Sequence, residues 1–321
     1  MKQGFVYALA LAIPLAAEVK ISKSAGRIEI DIDGKPFTTF FIGQDAPKPY
    51  LHPLRAATGT VVTRGYPIQE VAGESKDHPH HRGLWFTHGD VNGVDFWANE
   101  PSQKSDKRGA VVLKKLNAAT SGKQSGLIDA TFEWVDPKGT PVLTEERKMT
   151  FYSQPDMRTI DFDITLRAVH QAVFGDTKEG TFAIRLAAGL EEKAPKSLPD
   201  PPRTGKMVSS EGAEGESQVW GKRAPWVDYS GELEGEKVGI AILDHSANPK
   251  HPTYWHARSY GLFAANIFGE HDFYNDKSRN GSVTLTPGET LRFRYRVLIH
   301  PGDFKSAEIA KKYKKYLEVA R

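Results

Sequence analysis

Cysteine is absent from this chain of 321 residues. That removes disulfides, thiolate nucleophiles, lipid attachment through cysteine and cysteine-ligated metals in one stroke. Charge of one sign is also lacking, since 43 Lys and Arg face 40 Asp and Glu, a net +3 with no long basic run. Nucleic acid is therefore not an expected partner. After the first seventeen residues no apolar run approaches the length of a membrane span. There is no glycine-rich phosphate loop and no dinucleotide fingerprint. Gly73-Glu74-Ser75 lacks the pattern of a nucleophile elbow.

The first seventeen residues are the exception in hydropathy. Lys2 precedes an apolar run from Phe5 to Ala17, and Ala16-Ala17 places small residues before Glu18. This predicts an export signal over 1–17 and a periplasmic or secreted mature chain, 18–321, forming a single domain. Without disulfides such a chain depends on a large core, and about 300 residues suffice for one.

The rest reads as strands. Ile28, Ile30 and Ile32 alternate with Glu29 and Asp31, and Asp33-Gly34 turns the chain into a second strand over 37–42. Short extended pieces follow at 50–53 and 61–66. Strands are predicted over 111–116, 127–135, 142–152, 158–167, 181–187, 238–243, 260–268 and 282–299. In the eight residues from Ile160 to Arg167, apolar and polar side chains alternate without a break. The segment 191–218 is rich in proline and glycine and predicts a long loop, a candidate lid. One C-terminal helix is predicted over 306–320, with Ile309, Tyr313, Tyr316 and Leu317 on one face. Many strands without intervening helices predict an all-β fold, a large antiparallel two-sheet β-sandwich with that one helix.

Chemistry concentrates in Asp77 to Trp97, DHPHHRGLWFTHGDVNGVDFW. Four of eleven histidines, His78, His80, His81 and His88, fall within it, beside Arg82, Asn92, Trp85 and Trp97. Histidine titrates near neutral pH and is the commonest metal ligand, while tryptophan suits stacking on a ring. A second cluster over 244–258 holds His245, His256, Trp255 and Arg258. General acid–base catalysis on a bound sugar assigns the catalytic work to His80, His81, His88, His245 and His256. Arg64, Arg82, Asn92, Trp97, Trp226, Trp255 and Arg258 are then the candidate substrate-binding residues. The two clusters are expected to line one cleft. A divalent metal is an alternative, with His78 and His80 as ligands on one strand face; the acid–base reading needs no cofactor. A carboxylate pair drawn from Glu70, Glu74, Glu133, Glu145 and Glu146 is a further source of acid–base groups.

The stretch 77–97, with EGTFAIRLAAGL at 179–190, VWGKRAPWVDYSG at 219–231 and HPTYWHARSYGLFAANIFG at 251–269, resembles the PmoA-like family of exported bacterial proteins. The resemblance implies a fold similar to the galactose mutarotase-like super-sandwich, with a carbohydrate or glycoside ligand on a concave face. The methane oxygenase echoed in that family's label does not suit a chain without spanning helices. The expected function is thus an epimerase, lyase or hydrolase acting on carbohydrate. The alternatives are a metal-dependent enzyme and a non-catalytic carbohydrate-binding protein.

Overall fold

A computed structural model describes residues 18–319, apart from 104 and 199. The predicted export signal, 1–17, lies outside the described residues. Eighteen strands and three helices are present among them. The strands of the N-terminal half are β1 Val19–Ser24, β2 Arg27–Ile32, β3 Lys35–Phe41, β4 Tyr50–His52, β5 Leu84–His88, β6 Ala110–Thr120, β7 Ser125–Val135, β8 Pro141–Tyr152 and β9 Arg158–Ala168. They are followed by β10 Ala172–Phe174, β11 Gly180–Arg185, β12 Lys206–Ser209, β13 Trp226–Leu233, β14 Glu236–Asp244, β15 Tyr254–Ala257, β16 Leu262–Asn266, β17 Val283–Leu285 and β18 Thr290–Pro301. The helices are α1 Glu216–Val219, α2 Glu270–Phe273 and α3 Ile309–Val319.

Two eight-stranded sheets carry the molecule. The first runs β1-β2-β3-β4-β5-β11-β16-β15 and the second β12-β13-β14-β18-β9-β8-β7-β6, with β10 and β17 as a small separate pair. The pairings that build the two large sheets are antiparallel. This is the two-sheet β-sandwich with a C-terminal helix that the alternation predicts. The sheets meet through aromatic side chains: Phe182 of β11 lies 4.8 Å from Phe162 and 4.5 Å from Tyr295, and Phe86 of β5 lies 5.4 Å from Phe293. Each such ring contributes about 1.5–3 kcal/mol by leaving water.

The regular alternation of β9 and β18 explains their place. Ile160, Phe162, Ile164 and Leu166 face the core, and on the other face Arg292 of β18 grips Asp163 and Arg296 grips Asp161, each through two hydrogen bonds. Helix α3 covers that outer face, seating Ile309 and Tyr316 on Ala241, Leu243 and Leu298.

Some elements differ from expectation. Residues 61–66 are extended but make isolated bridges only, Arg55 to Val61 and Thr63 to Leu186. The predicted strand 282–299 is two strands, because Gly288 at φ 86° turns the chain between β17 and β18, which then pair with different partners. The segment 191–218 is long but not a simple loop. It holds β12, paired to β13, and the helical turn α1, and Glu191 and Met207 within it are fully buried.

Candidate functional site

In the middle strands of the first sheet both faces are buried. Leu84, Phe86, Phe182, Ile184, Phe263 and Ala265 point at the second sheet. Their neighbours point outward, and register aligns them in one row: Tyr50, Trp85, Ala183, Ala264 and His256, on β4, β5, β11, β16 and β15 in turn. Trp97, from the loop after β5, packs over this row with Trp85, Ala183, Leu262 and Ala264.

The turn that enters β5 supplies the histidines. His78 adopts φ 42°, which folds the chain so that the His81 amide donates to the His78 carbonyl at 3.0 Å. The imidazoles then stack in a column. His78 lies parallel to His81 at 4.8 Å and to Tyr260 at 5.5 Å, and His81 continues onto Trp85 at 5.3 Å. Two rings thus stack parallel to His78, and its side chain is still 41% exposed. Asp77 Oδ2 lies 3.0 Å from His78 Nδ1. This holds the proton on Nδ1 and leaves Nε2 as the free nitrogen.

Asp77 is itself anchored. Its Oδ1 accepts from Arg64 at 2.6 Å and from Arg185 at 3.0 Å. Burial by itself would raise the Asp77 carboxyl, but the His78 hydrogen bond and the charges of Arg185, His78 and Arg64 hold it below the ordinary carboxylate range. Arg185 is fully buried in β11, lies over the Tyr260 ring at 4.7 Å and donates to His81 Nδ1 at 3.1 Å. A guanidinium has no acceptor, so the His81 proton sits on Nε2. Burial, with the positive charges around them, takes His80 down to about 2 and His81 well below its ordinary value. Both are neutral hydrogen-bonding groups at physiological pH. His80 Nδ1 is met by the Gln103 side-chain amide at 3.0 Å.

Around this column the rim is polar and aromatic. Arg258, 32% exposed, pairs with Glu216 of α1 at 2.8 Å and lies over Tyr260 and Trp220. Trp220 in turn meets His256 at 6.5 Å, and the His256 Nδ1–H donates to the Lys178 carbonyl at 2.8 Å. Burial lowers His256 to about 4. Among the described residues, His81 Nε2, Trp85 Nε1, Trp97 Nε1, Trp220 Nε1, Thr87 Oγ1 and Thr181 Oγ1, all on or over this face, are buried without a hydrogen-bond partner. Buried polar groups are seldom left unpaired in native proteins.

The structure thus brings His80, His81, Arg64, Trp97, Arg258 and His256 to one face. His256 stands three strands from Trp85, about 14 Å at the usual strand spacing, so the two clusters share a face without touching. Arg82 lies beside this group, held bidentate by Glu100 at 2.6 and 2.8 Å.

Five expected site residues lie elsewhere. His88 points into the core, wedged on Phe268 at 4.5 Å with Nε2 on the Gly175 carbonyl. Asn92 is a turn residue at φ 56° whose side chain ties the turn to Gln171 and Val173. Trp255 belongs to the core and donates to the Ala224 carbonyl. Trp226 and His245 sit behind the second sheet, against Phe304 and against Tyr316 of α3.

The residue reading missed Asp77 and His78 as an acid–base pair, and it missed Arg185, Tyr260, Glu216, Trp220 and Gln103 altogether. One signal was available: an arginine inside the apolar run TFAIRLA demands a buried partner.

The metal alternative finds no ligand set. Among the described residues no three His, Asp or Glu side chains are arranged to hold a metal ion, and His78 and His80 meet edge to face at 5.6 Å near the charges of Arg64 and Arg185. Three of the five glutamates offered as a carboxylate pair are held in ion pairs. Glu145 is locked to Arg147 in the core, Glu133 to Lys114 and Glu70 to Lys76 on the surface.

In overall shape the chain is similar to an alpha-galactosidase from Lactobacillus brevis, with TM-score 0.41, 8% identity, and coverage of 92% of this chain and 41% of that one. It is similar to the GH36 alpha-galactosidase AgaA from Geobacillus stearothermophilus, with TM-score 0.38, 9% identity and coverage of 89% and 41%. It is also similar to a galactose mutarotase-like protein from Clostridium acetobutylicum, with TM-score 0.40, 10% identity and coverage of 88% and 98%. The chain spans about two fifths of the length of the alpha-galactosidases it matches. No curated protein matches it. The model of a family of unknown function, DUF6807, matches residues 27–314, and this corrects the resemblance to the PmoA-like family, which nothing supports. The chain belongs to DUF6807.

Proposed function

We propose that this protein is a carbohydrate-directed enzyme that moves protons with His78, oriented by Asp77, on the outer face of the first sheet. The observation that carries this reading is the clamped dyad: Asp77 at 3.0 Å from Nδ1, two rings stacked parallel to the imidazole, and a side chain 41% exposed. An imidazole held in one tautomer and one plane is oriented for proton transfer. The surroundings favour a polyhydroxylated ring. Tyr260 and Trp220, both half-buried, add apolar surface, and Arg258 and Glu216 beside them offer donors and acceptors for vicinal hydroxyls. His80 and His81, neutral and recessed, serve as hydrogen-bonding groups and as the platform of the stack. The reaction class is proton transfer at a sugar carbon or glycosidic oxygen, as in an epimerase, lyase or hydrolase. We further propose export, with the mature chain beginning near Glu18.

The test is turnover of a panel of monosaccharides and oligosaccharides by wild type and by His78→Gln. General acid–base groups contribute about 10²–10⁴-fold, so the variant should lose at least about a hundredfold in kcat while still binding the sugar that wild type turns over. A folded His78→Gln protein with undiminished turnover removes His78 from the chemistry. Binding of a sugar by wild type with no turnover removes the enzyme and leaves the binding protein. Export is checked by the N-terminal residue of soluble protein from the native host; an intact Met1 overturns it.

A further inference from the structure

We propose that the cavity of about 510 Å³ between the end of β4, the segment after β11 and the β13–β14 hairpin is a second ligand site, one that takes a small amphipathic organic cation, an apolar body carrying a protonated amine. The cavity lies apart from the dyad, which stands on an open face, and none of the stacked residues lines it.

Its size is that of a small-molecule site, and such sites are mostly apolar with a few placed polar groups. The apolar part here comes from Val61, Val71, Ala188, Leu233, Pro201 and Pro202. The charged lining is one-sided: Glu74, Glu232 and Glu234 against Arg55. Behind this lining, Arg203 is paired with Glu191, and Arg64 and Arg185, whose charges reach Glu74, are paired with Asp77, so the lining keeps its negative sign. Arg55 is partly engaged, since its Nη1 donates to the Gly59 carbonyl at 3.2 Å. His52 adds no positive charge, because burial lowers it to about 4.

Glu74 is the group placed to receive an ammonium. It is 8% exposed, and its Oε2 accepts the amides of Gly65 at 2.8 Å and Tyr66 at 3.2 Å. Both of these bonds fall on one oxygen, and Glu74 lines the cavity. Burial raises the Glu74 carboxyl, and a cation bound beside it would offset that rise. Glu232 and Glu234, both exposed, set the sign of the field at the mouth.

The walls are fixed rather than loose. Arg203 joins them, donating to the Gly73 carbonyl at 2.9 Å and to Glu191 at 3.1 Å. A Cβ on Gly73 would stand 2.3 Å from the Asp200 carbonyl, which shows how closely the two wall segments meet.

The experiment is calorimetric titration at pH 7 with 3-phenylpropylamine, and with 3-phenylpropan-1-ol as its neutral counterpart. The amine should bind at least about tenfold more tightly than the alcohol, as a charge-assisted contact exceeds a neutral one. Glu74→Gln keeps an acceptor for the two amides, and it should bring the amine down to the affinity of the alcohol. Val71→Trp, at a rim position 44% exposed and so tolerant of substitution, should fill the mouth and abolish amine binding while leaving Tm unchanged. Equal affinity for amine and alcohol, no binding of either, or undiminished amine binding in Val71→Trp would each overturn the proposal. None of these outcomes depends on sugar turnover, so this site and the His78 site stand or fall separately.

Discussion

Replacing Asp77 by Asn tests the anchor of the dyad with no knowledge of the substrate. The shape is kept and one negative charge is removed from between Arg64 at 2.6 Å, Arg185 at 3.0 Å and His78 at 3.0 Å. Hydrogen bonds to charged groups contribute about 1.5–3 kcal/mol and neutral ones about 0.5–1.5. The two guanidinium contacts therefore lose about 1 kcal/mol each. Asp77 is 36% exposed, so solvent screens part of this, and the expected cost is about 1.5 kcal/mol. At about 2–4 °C per kcal/mol that lowers Tm by about 3–6 °C. Thermal unfolding at pH 7 measures it. The pH dependence sharpens the test. The folded carboxyl sits below its ordinary 3.8, so above that value both folded and unfolded chains are ionised and the contribution is complete. Below it the unfolded chain takes up the proton first, and the advantage is lost as pH falls toward the folded value. The Tm gap between wild type and Asp77→Asn should thus be constant from pH 7 to about 4 and close below that. A variant as stable as wild type at pH 7, or a gap that persists in acid, would refute the anchoring role.

Other consequences are equally open to measurement. Burial lowers His52, His88 and His256 each to about 4 from an ordinary 6.5, so the unfolded chain binds their protons first, and Tm should fall steadily from pH 6.5 to 4; a flat profile contradicts this. Arg147→Met strands the buried Glu145 and should cost about 3–5 kcal/mol in urea unfolding. Adding Glu145→Gln, which still accepts from Trp134, should recover at least about 1 kcal/mol, and a double variant no better than the single one would show that the charge is not the cause. His245→Ala and Trp226→Phe, both behind the second sheet, should leave sugar affinity within about twofold of wild type, whereas Tyr260→Ala, which takes away the ring stacked on His78, should lower turnover by at least about tenfold.

Much of the architecture was legible in the chain itself. A period-two pattern such as that of 160–167 commits a segment to a strand with one face in the core, and the terminal run from Ile309 carries the stripe that packs α3. The cluster at 77–97 was legible too, because its members are neighbours in sequence. Which face each side chain takes was not. β5 and β11 are buried on both sides, so alternation separates their two faces but does not say which one meets the other sheet. That is why His88 reads like its neighbours and yet sits in the core, while Trp85, three residues earlier, stands under the histidine stack. Sheet order decided the rest. β5 lies beside β11, and β11 beside β16, which draws Arg185 and Tyr260 to His78 across more than a hundred residues. The same order sends His245, at the end of β14, to the second sheet and out of reach. Residue type and local spacing determined that this chain would hold a histidine-rich turn on a β-sandwich. Asp77 and His81 reach His78 from within the same turn, but long-range strand pairing alone brought it the Tyr260 ring and brought Asp77 the Arg185 anchor, because those two come from segments that the sequence keeps far apart.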